Sequence, residues 1–198
     1  MSAPPKTVLV AAPAETQSIA AAVRAAPGMT VAGPEHVAGL VALLSDPHVS
    51  DPIYDLPRPI DTQSVAAWVA QSRDLQEVGR CILAVSLDEA GAVAGYSRFT
   101  IWPDRASGEL AGARRRDLQN SGSGRSGVAR ATAWMFEVLG LRLIGLTAAL
   151  DNVRSARAIE GAGFVPMGEV TSHRPDGTSR QSLYWELSRD QWRARSKE

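Results

Sequence analysis

Two apolar runs separated by a short turn limit what this chain can fold into more than any other feature. CILAVSL, from Cys81, and AVAGYSRFTIW, ending at Trp102, flank the four residues DEAG. Strands joined so closely pair antiparallel, because a parallel neighbour needs a crossover of about a dozen residues or more. A purely parallel sheet is therefore excluded. A third strand is expected at about Gly108 to Arg116, then a helix in VARATAWMFEVLGL that ends at Gly140, a residue suited to the left-handed cap. RLIGLTAAL reads as a strand, and DNVRSARAIEGAGF as a helix from Asp151 or Asn152 that stops at Gly163. VPMGEVTSH and RQSLYWELS form a second hairpin around Asp176-Gly177.

Upstream, PEHVAGLVALLSD and IDTQSVAAWVAQSRDLQE carry apolar residues at helical spacing. Between them the prolines of DPHVSDPIYDLPRP argue against regular structure. TVLVAA and MTVAG read as short strands and ETQSIAAAVRAA as a helix from about Thr16. Residues 1–28 thus read as an Ala/Pro-rich N-terminal extension and residues 29–198 as the main domain. The order of elements predicts an α/β (α+β) fold with a mixed, mostly antiparallel central sheet flanked by helices.

With 21 basic and 21 acidic side chains, the chain has no net charge, which argues against nucleic acid or an anionic membrane as its main partner. Cys81, the single cysteine, can form neither an internal disulfide nor a thiolate cluster. His36, His48 and His173 lack metal-ligand spacing, so no metal site is expected. No apolar stretch approaches the length of a membrane span, and a soluble, cytoplasmic protein is expected.

The chemistry concentrates in LQNSGSGRSGVARATAWMFEVLG, Leu118 to Gly140, where glycines run into an apolar helix. Glycine lets a ligand approach the backbone, and a helix start offers unpaired N–H groups to an anion. A Walker loop is excluded, because Val128 and Ala129 follow Gly127 where Lys and Ser/Thr are required. Gly122, Gly124 and Gly127 do satisfy the dinucleotide pattern G-x-G-x-x-G. The residues before it, Arg114, Arg115, Arg116, Asp117 and Leu118, do not form the buried parallel strand that pattern follows, so a Rossmann-type dinucleotide binder ranks second.

GSGRSGVARATAWMFEVLGL followed by LTAALDNVRSARAIEGAGF resembles the GNAT superfamily of acyl-CoA-dependent N-acyltransferases. The form N-x-x-S and then G-F is similar to its ribosomal-protein N-terminal acetyltransferase (RimJ/RimL-like) branch. The likeness covers about Met29 to Trp192. It implies a GNAT-like fold, acetyl-CoA as cofactor and a primary amine, either a peptide N-terminus or a small molecule, as acceptor. A homodimer is left open as the oligomeric state. The resemblance places the pyrophosphate of CoA on Arg116, Gly122, Ser123, Gly124, Arg125, Ser126, Gly127, Val128 and Ala129. Gly124 stands where the family usually has Arg or Gln.

The resemblance also implies roles outside that stretch. Asn152 would bond the pantetheine arm, Ser155 would protonate the departing thiolate, and Glu109 would act as the base. Ile159 stands where many relatives have a tyrosine, so a tyrosine acid is not expected. Backbone N–H groups within Leu110 to Arg116 would support the oxyanion. Ser155 and Asn152 can equally be helix-end residues, and Glu109 a surface carboxylate. Tyr54, Arg98, Trp102 and Trp185 are candidates for the acceptor pocket. A catalytically idle CoA-binding sensor on the same fold is the alternative function.

Overall fold

The computed structural model describes residues 3–118, 123–173 and 177–195, with the backbone alone for 123–126. In chain order the elements are α1 (Pro13–Ala25), β1 (Thr30–Val31), α2 (Val37–Leu44), α3 (Pro47–Ser50), α4 (Thr62–Glu77), β2 (Cys81–Leu87) and β3 (Val93–Trp102). There follow β4 (Ser107–Arg114), α5 (Ser123–Glu137), β5 (Leu143–Ala149), α6 (Val153–Gly161), β6 (Val165–His173), β7 (Ser179–Ser188) and α7 (Arg189–Arg195). The DEAG hairpin closes through Asp88, whose carboxylate accepts hydrogen bonds from the N–H groups of Ala90 and Ala92, while Gly91 takes φ 78°. That side-chain turn and the glycine together fix the register of β2 on β3.

The strands form one sheet in the order β1-β2-β3-β4-β5-β7-β6, antiparallel at every step except β4 with β5. This mixed sheet rules out the doubly wound parallel sheet of a dinucleotide-binding domain. The parallel step is short: Ser107–Glu109 pair with Leu143–Gly145 and pairing stops there. Beyond it β4 stays with β3 as far as Arg114, and β5 stays with β7 as far as Ala149. Each strand follows its antiparallel partner, and the sheet splays between them.

Helices cover both faces. β2 is buried on both sides, which is why it reads as a continuous apolar run. Ile82 and Ala84 join a core with Ile19 and Val23 of α1, Met135 and Phe136 of α5, and Trp185. Leu83 and Val85 face α2 and α4 through Leu40, Leu44, Val65 and Trp68. Two-residue periodicity divides the strand between the two cores. Cys81 is buried at the start of β2, and desolvation pushes its thiol pKa up, keeping it neutral and unreactive.

Several local expectations are corrected. TVLVAA is not a strand; residues 3–11 form an arm without regular structure that bends at Lys6–Thr7, with Thr7 bonded to Glu186 of β7. α1 starts at Pro13 rather than Thr16, since proline fits a first helical turn where its missing N–H costs nothing. Pro47 likewise begins α3, capped by Asp46, inside the segment expected to be irregular. The third strand ends at Arg114; Arg115 turns away and its N–H donates to the Ala94 carbonyl. Within residues 1–28, Ile19 and Val23 sit in the main core. Among the described residues, no helix is long and apolar enough to cross a membrane.

Candidate functional site

The splay leaves a groove of about 630 Å³ between the diverging ends of β4 and β5. Leu110 to Arg114 form one wall, Leu146 to Ala148 the other, and α5 and α6 close it with Gly127, Val128, Trp134, Asn152, Ser155 and Ile159. Past Glu109 the side of β4 that faced β5 has no strand partner among the described residues, so backbone donors are turned toward the groove. Arg115 supplies none of them, its N–H being taken by Ala94.

The glycine-rich segment differs from the expected loop. α5 begins at Ser123, so Gly124 and Gly127 lie in its opening turns. Gly127 does not need a left-handed backbone; a Cβ built there meets nothing within 4 Å. Glycine here keeps space open rather than permitting a special angle. Val128 also lines the groove, whereas Ala129 is exposed and does not. Gly122 lies outside the described residues, and Ser123, Gly124, Arg125 and Ser126 are described only by their helical backbone. The start of α5 directs the positive end of its dipole to this side of the fold.

The arginines sort by partner. Arg116 is exposed in the short turn Arg116–Leu118 and is not among the groove-lining residues, contrary to expectation. Arg115 is clasped by Asp88 and Asp117, both at 2.8 Å, and these hydrogen bonds, led by that to Asp117, raise its pKa further. Arg114, Arg130 and Arg154 do line the groove. Arg154 was missed, although its place between Asn152 and Ser155 at the start of α6 was a readable signal.

Asn152 caps α6 by accepting the Ser155 N–H at 3.1 Å, and both residues face the groove. Capping and cavity lining coexist there. Ile159 is buried beside them. Glu109 lies elsewhere, in a second cavity of about 140 Å³ shared with Gly145, Thr147 and Tyr184. It is 8% exposed, and it accepts a hydrogen bond from the Thr147 hydroxyl at 3.3 Å. Thr147 and Tyr54 border both cavities. The carboxylate and the serine thus lie in adjoining chambers that meet where the strands part.

Tyr184 donates to Glu186 at 2.7 Å; burial first, and then that hydrogen bond, raise its pKa and keep it a phenol. Gly145 is required beside it, since a Cβ would come 2.7 Å from the Tyr184 hydroxyl. Of the four aromatic and basic pocket candidates, only Tyr54 lines a cavity. Arg180 lies 5.1 Å from its ring centre and donates to the Pro52 carbonyl. Arg98 instead pairs with Asp55 at 3.3 Å, and Trp185 belongs to the core.

Residues 30–165 match the family model described as "Acetyltransferase (GNAT) domain". No curated protein matches the sequence. Solved structures that share the fold include the following three. Ribosomal-protein-S5-alanine acetyltransferase from Vibrio fischeri is 16% identical, with TM-score 0.69 over 83% of this chain and 93% of its own. RimJ from Mycobacterium smegmatis, in complex with CoA-disulfide, is 18% identical, with TM-score 0.67 over 81% of this chain and 80% of its own. Spermidine N-acetyltransferase from Vibrio cholerae is 17% identical, with TM-score 0.67 over 85% of this chain and 98% of its own.

Proposed function

The chain belongs to the GNAT acetyltransferase family, whose reaction is acetyl transfer from acetyl-CoA to an amine, and we propose that its two cavities hold the two reactants of a direct transfer. The observation that carries this reading is the meeting of the cavities at Thr147, between the paired and the splayed parts of β4 and β5. The groove has the size of an ordinary cofactor site, about 300–1,000 Å³. Its arginines, the start of α5 and the apolar walls suit a phosphorylated carrier with a slender arm. When bound, acetyl-CoA supplies the acetyl group as a thioester.

The remaining chemistry falls to side chains and backbone. Arg114, Arg130 and Arg154 would hold phosphates, while Gly127 would leave room for them against α5. Asn152 orients the pantetheine arm through its free amide N–H₂ while its oxygen stays on the Ser155 N–H. N–H groups of Leu110 to Arg114 stabilise the developing oxyanion, a contribution of about 2.7–4 kcal/mol per well-placed donor. The Ser155 hydroxyl, which lines the groove, would donate a hydrogen bond to the leaving sulfur. Glu109 attracts the protonated amine and takes its proton, with Thr147 fixing one carboxylate oxygen. An α-amine with a pKa of about 7.7–8.0 asks less of this carboxylate than a lysine near 10.4. That difference, with the likeness to the S5-alanine enzyme and to RimJ, favours a peptide N-terminus in the ribosomal-protein N-terminal acetyltransferase manner.

Thermal melting with ligands tests the cofactor assignment. At 100 times its Kd acetyl-CoA should stabilise the protein by about 2.7 kcal/mol, raising Tm by about 5–10 °C, while NAD and ATP leave it unchanged. Turnover of a panel of amines then separates an enzyme from an idle CoA-binding module. A shift with NAD alone would overturn the assignment.

A further inference from the structure

We infer that the N-terminal arm, Ala3 to Lys6, is a specificity-determining wall of the acceptor pocket and limits it to slender primary amines. The inference rests on the functional reading above and adds the substrate class. Ala3, Pro4, Pro5 and Lys6 line the same small cavity as Glu109 and Thr147, though they are more than 100 residues away in sequence. Pro5 is buried, unusual for a residue on an arm that is otherwise mostly exposed.

The arm is tied down on both sides of the splay. Arg105, in the turn between β3 and β4, donates to the Pro5 carbonyl at 2.8 Å and to the Thr7 carbonyl at 3.3 Å. On the other side, Thr7 donates its N–H at 3.0 Å and its hydroxyl to the carboxylate of Glu186 in β7, which is 5% exposed. The Lys6 ammonium donates to the carbonyls of Met167 and Glu169 in β6 at 3.0 and 3.1 Å and lies 5.4 Å from the Tyr184 ring centre. A buried carboxylate partnered by the arm favours the docked state, because releasing the arm leaves that charge with fewer donors.

The docked arm sets the pocket's size. At about 140 Å³ the cavity is close to the roughly 150 Å³ that takes a single benzene ring, with no room left for an amine joined to that ring. It accommodates an amine on a short or lightly substituted carbon chain, such as the first residue of a peptide beginning with Gly, Ala or Ser. A large aromatic side chain beside the amine does not fit while Pro4 and Pro5 stay in place. The charge suits the guest as well, since Glu109 draws an ammonium and the Lys6 ammonium is turned toward carbonyls.

The test compares the full-length protein with Arg105→Ala, which removes the clamp on Pro5 and Thr7, and with a Pro4→Gly/Pro5→Gly double variant, which loosens the arm itself. Trypsin cleavage after Lys6 reports arm release. Kinetics with acetyl-CoA are measured on peptides beginning with Ala or Phe and on ethylamine and 2-phenylethylamine. In the released variants the ratio of kcat/KM for bulky over slender amines should rise at least about tenfold, the scale on which pocket fit discriminates. The Kd for acetyl-CoA should stay within about twofold. Faster cleavage with an unchanged ratio in both variants overturns the inference and leaves acetyl transfer intact. If instead the unaltered protein binds acetyl-CoA but acetylates no amine, the functional reading fails, and the inference fails with it.

Discussion

The two cavities on either side of the splay are built from the same pair of strands yet differ in size, charge and origin. The groove is about 630 Å³; the parts of it that suit phosphates, Arg114, Arg130, Arg154 and the starts of α5 and α6, come from short contiguous segments, while β2, β3, β5 and the segment around Tyr54 complete its walls. The smaller cavity, proposed for the acceptor, is about 140 Å³, contains Glu109, and is assembled from the arm, the residue Tyr54, Glu109 of β4, Gly145 and Thr147 of β5, and the closing hairpin. A site for a phosphorylated carrier can be encoded locally because backbone N–H groups and helix ends do much of the binding. A site for a small amine needs side chains converging from several directions.

Ser155 offers the sharpest break between the cavities, since it lies in the groove and not beside Glu109. Ser155→Ala should lower kcat by about 10²-fold to 10³-fold with little change in acetyl-CoA affinity, as expected for a group that acts in the transition state. Stopped-flow or steady-state kinetics combined with calorimetry would check this. A normal kcat, with stability lower by about 1 kcal/mol, would reduce Ser155 to a helix-end residue.

Gly127→Val probes the groove alone. Its side chain projects into open space, so the fold should hold while the Kd for acetyl-CoA rises by about 10-fold to 100-fold, the cost of overfilling a site by about 1–3 kcal/mol. Unchanged affinity in a folded variant would move the cofactor away from α5.

The smallest effect concerns the clasp that secures the end of the groove's β4 wall. Hydrogen bonds from Arg115 hold the carboxylates of Asp88 and Asp117 below their usual pKa. A carboxylate with a depressed folded pKa stabilises the protein above its unfolded value of about 3.9 and loses that contribution as pH falls through the folded value. The stability gap between the native protein and Arg115→Ala should therefore be present at about pH 7 and shrink below about pH 4, as read by urea titration. Asp117 is exposed and Asp88 only partly covered, so the gap stays small. A gap independent of pH would assign the effect of Arg115 to packing.

The groove was largely legible before any coordinates, through Asn152 and Ser155 on one helix start and Gly127 and Val128 on another. The failures there were local. Arg116 is exposed and lies outside the groove lining, because the chain turns at Arg115, and the glycine-rich run expected as a loop is helical from Ser123. On the smaller cavity only Glu109 and Tyr54 were legible. Arg98 and Trp185 were candidates by residue type, yet one is neutralised by Asp55 and the other fills the core.

Sequence alone determined the order of strands and helices from β2 to β7, the antiparallel hairpin around DEAG and the resemblance that fixed the reaction class, because turn residues, caps and apolar periodicity act over a few residues. Tertiary structure decided where the sheet splays and which residues meet across it. β4 and β5 part after Glu109 because each continues with a different antiparallel neighbour, a choice no local pattern encodes. The arm at residues 3–7 reaches the smaller cavity for the same reason: its anchors, Arg105 and Glu186, are distant in the chain and come together only when the sheet is complete.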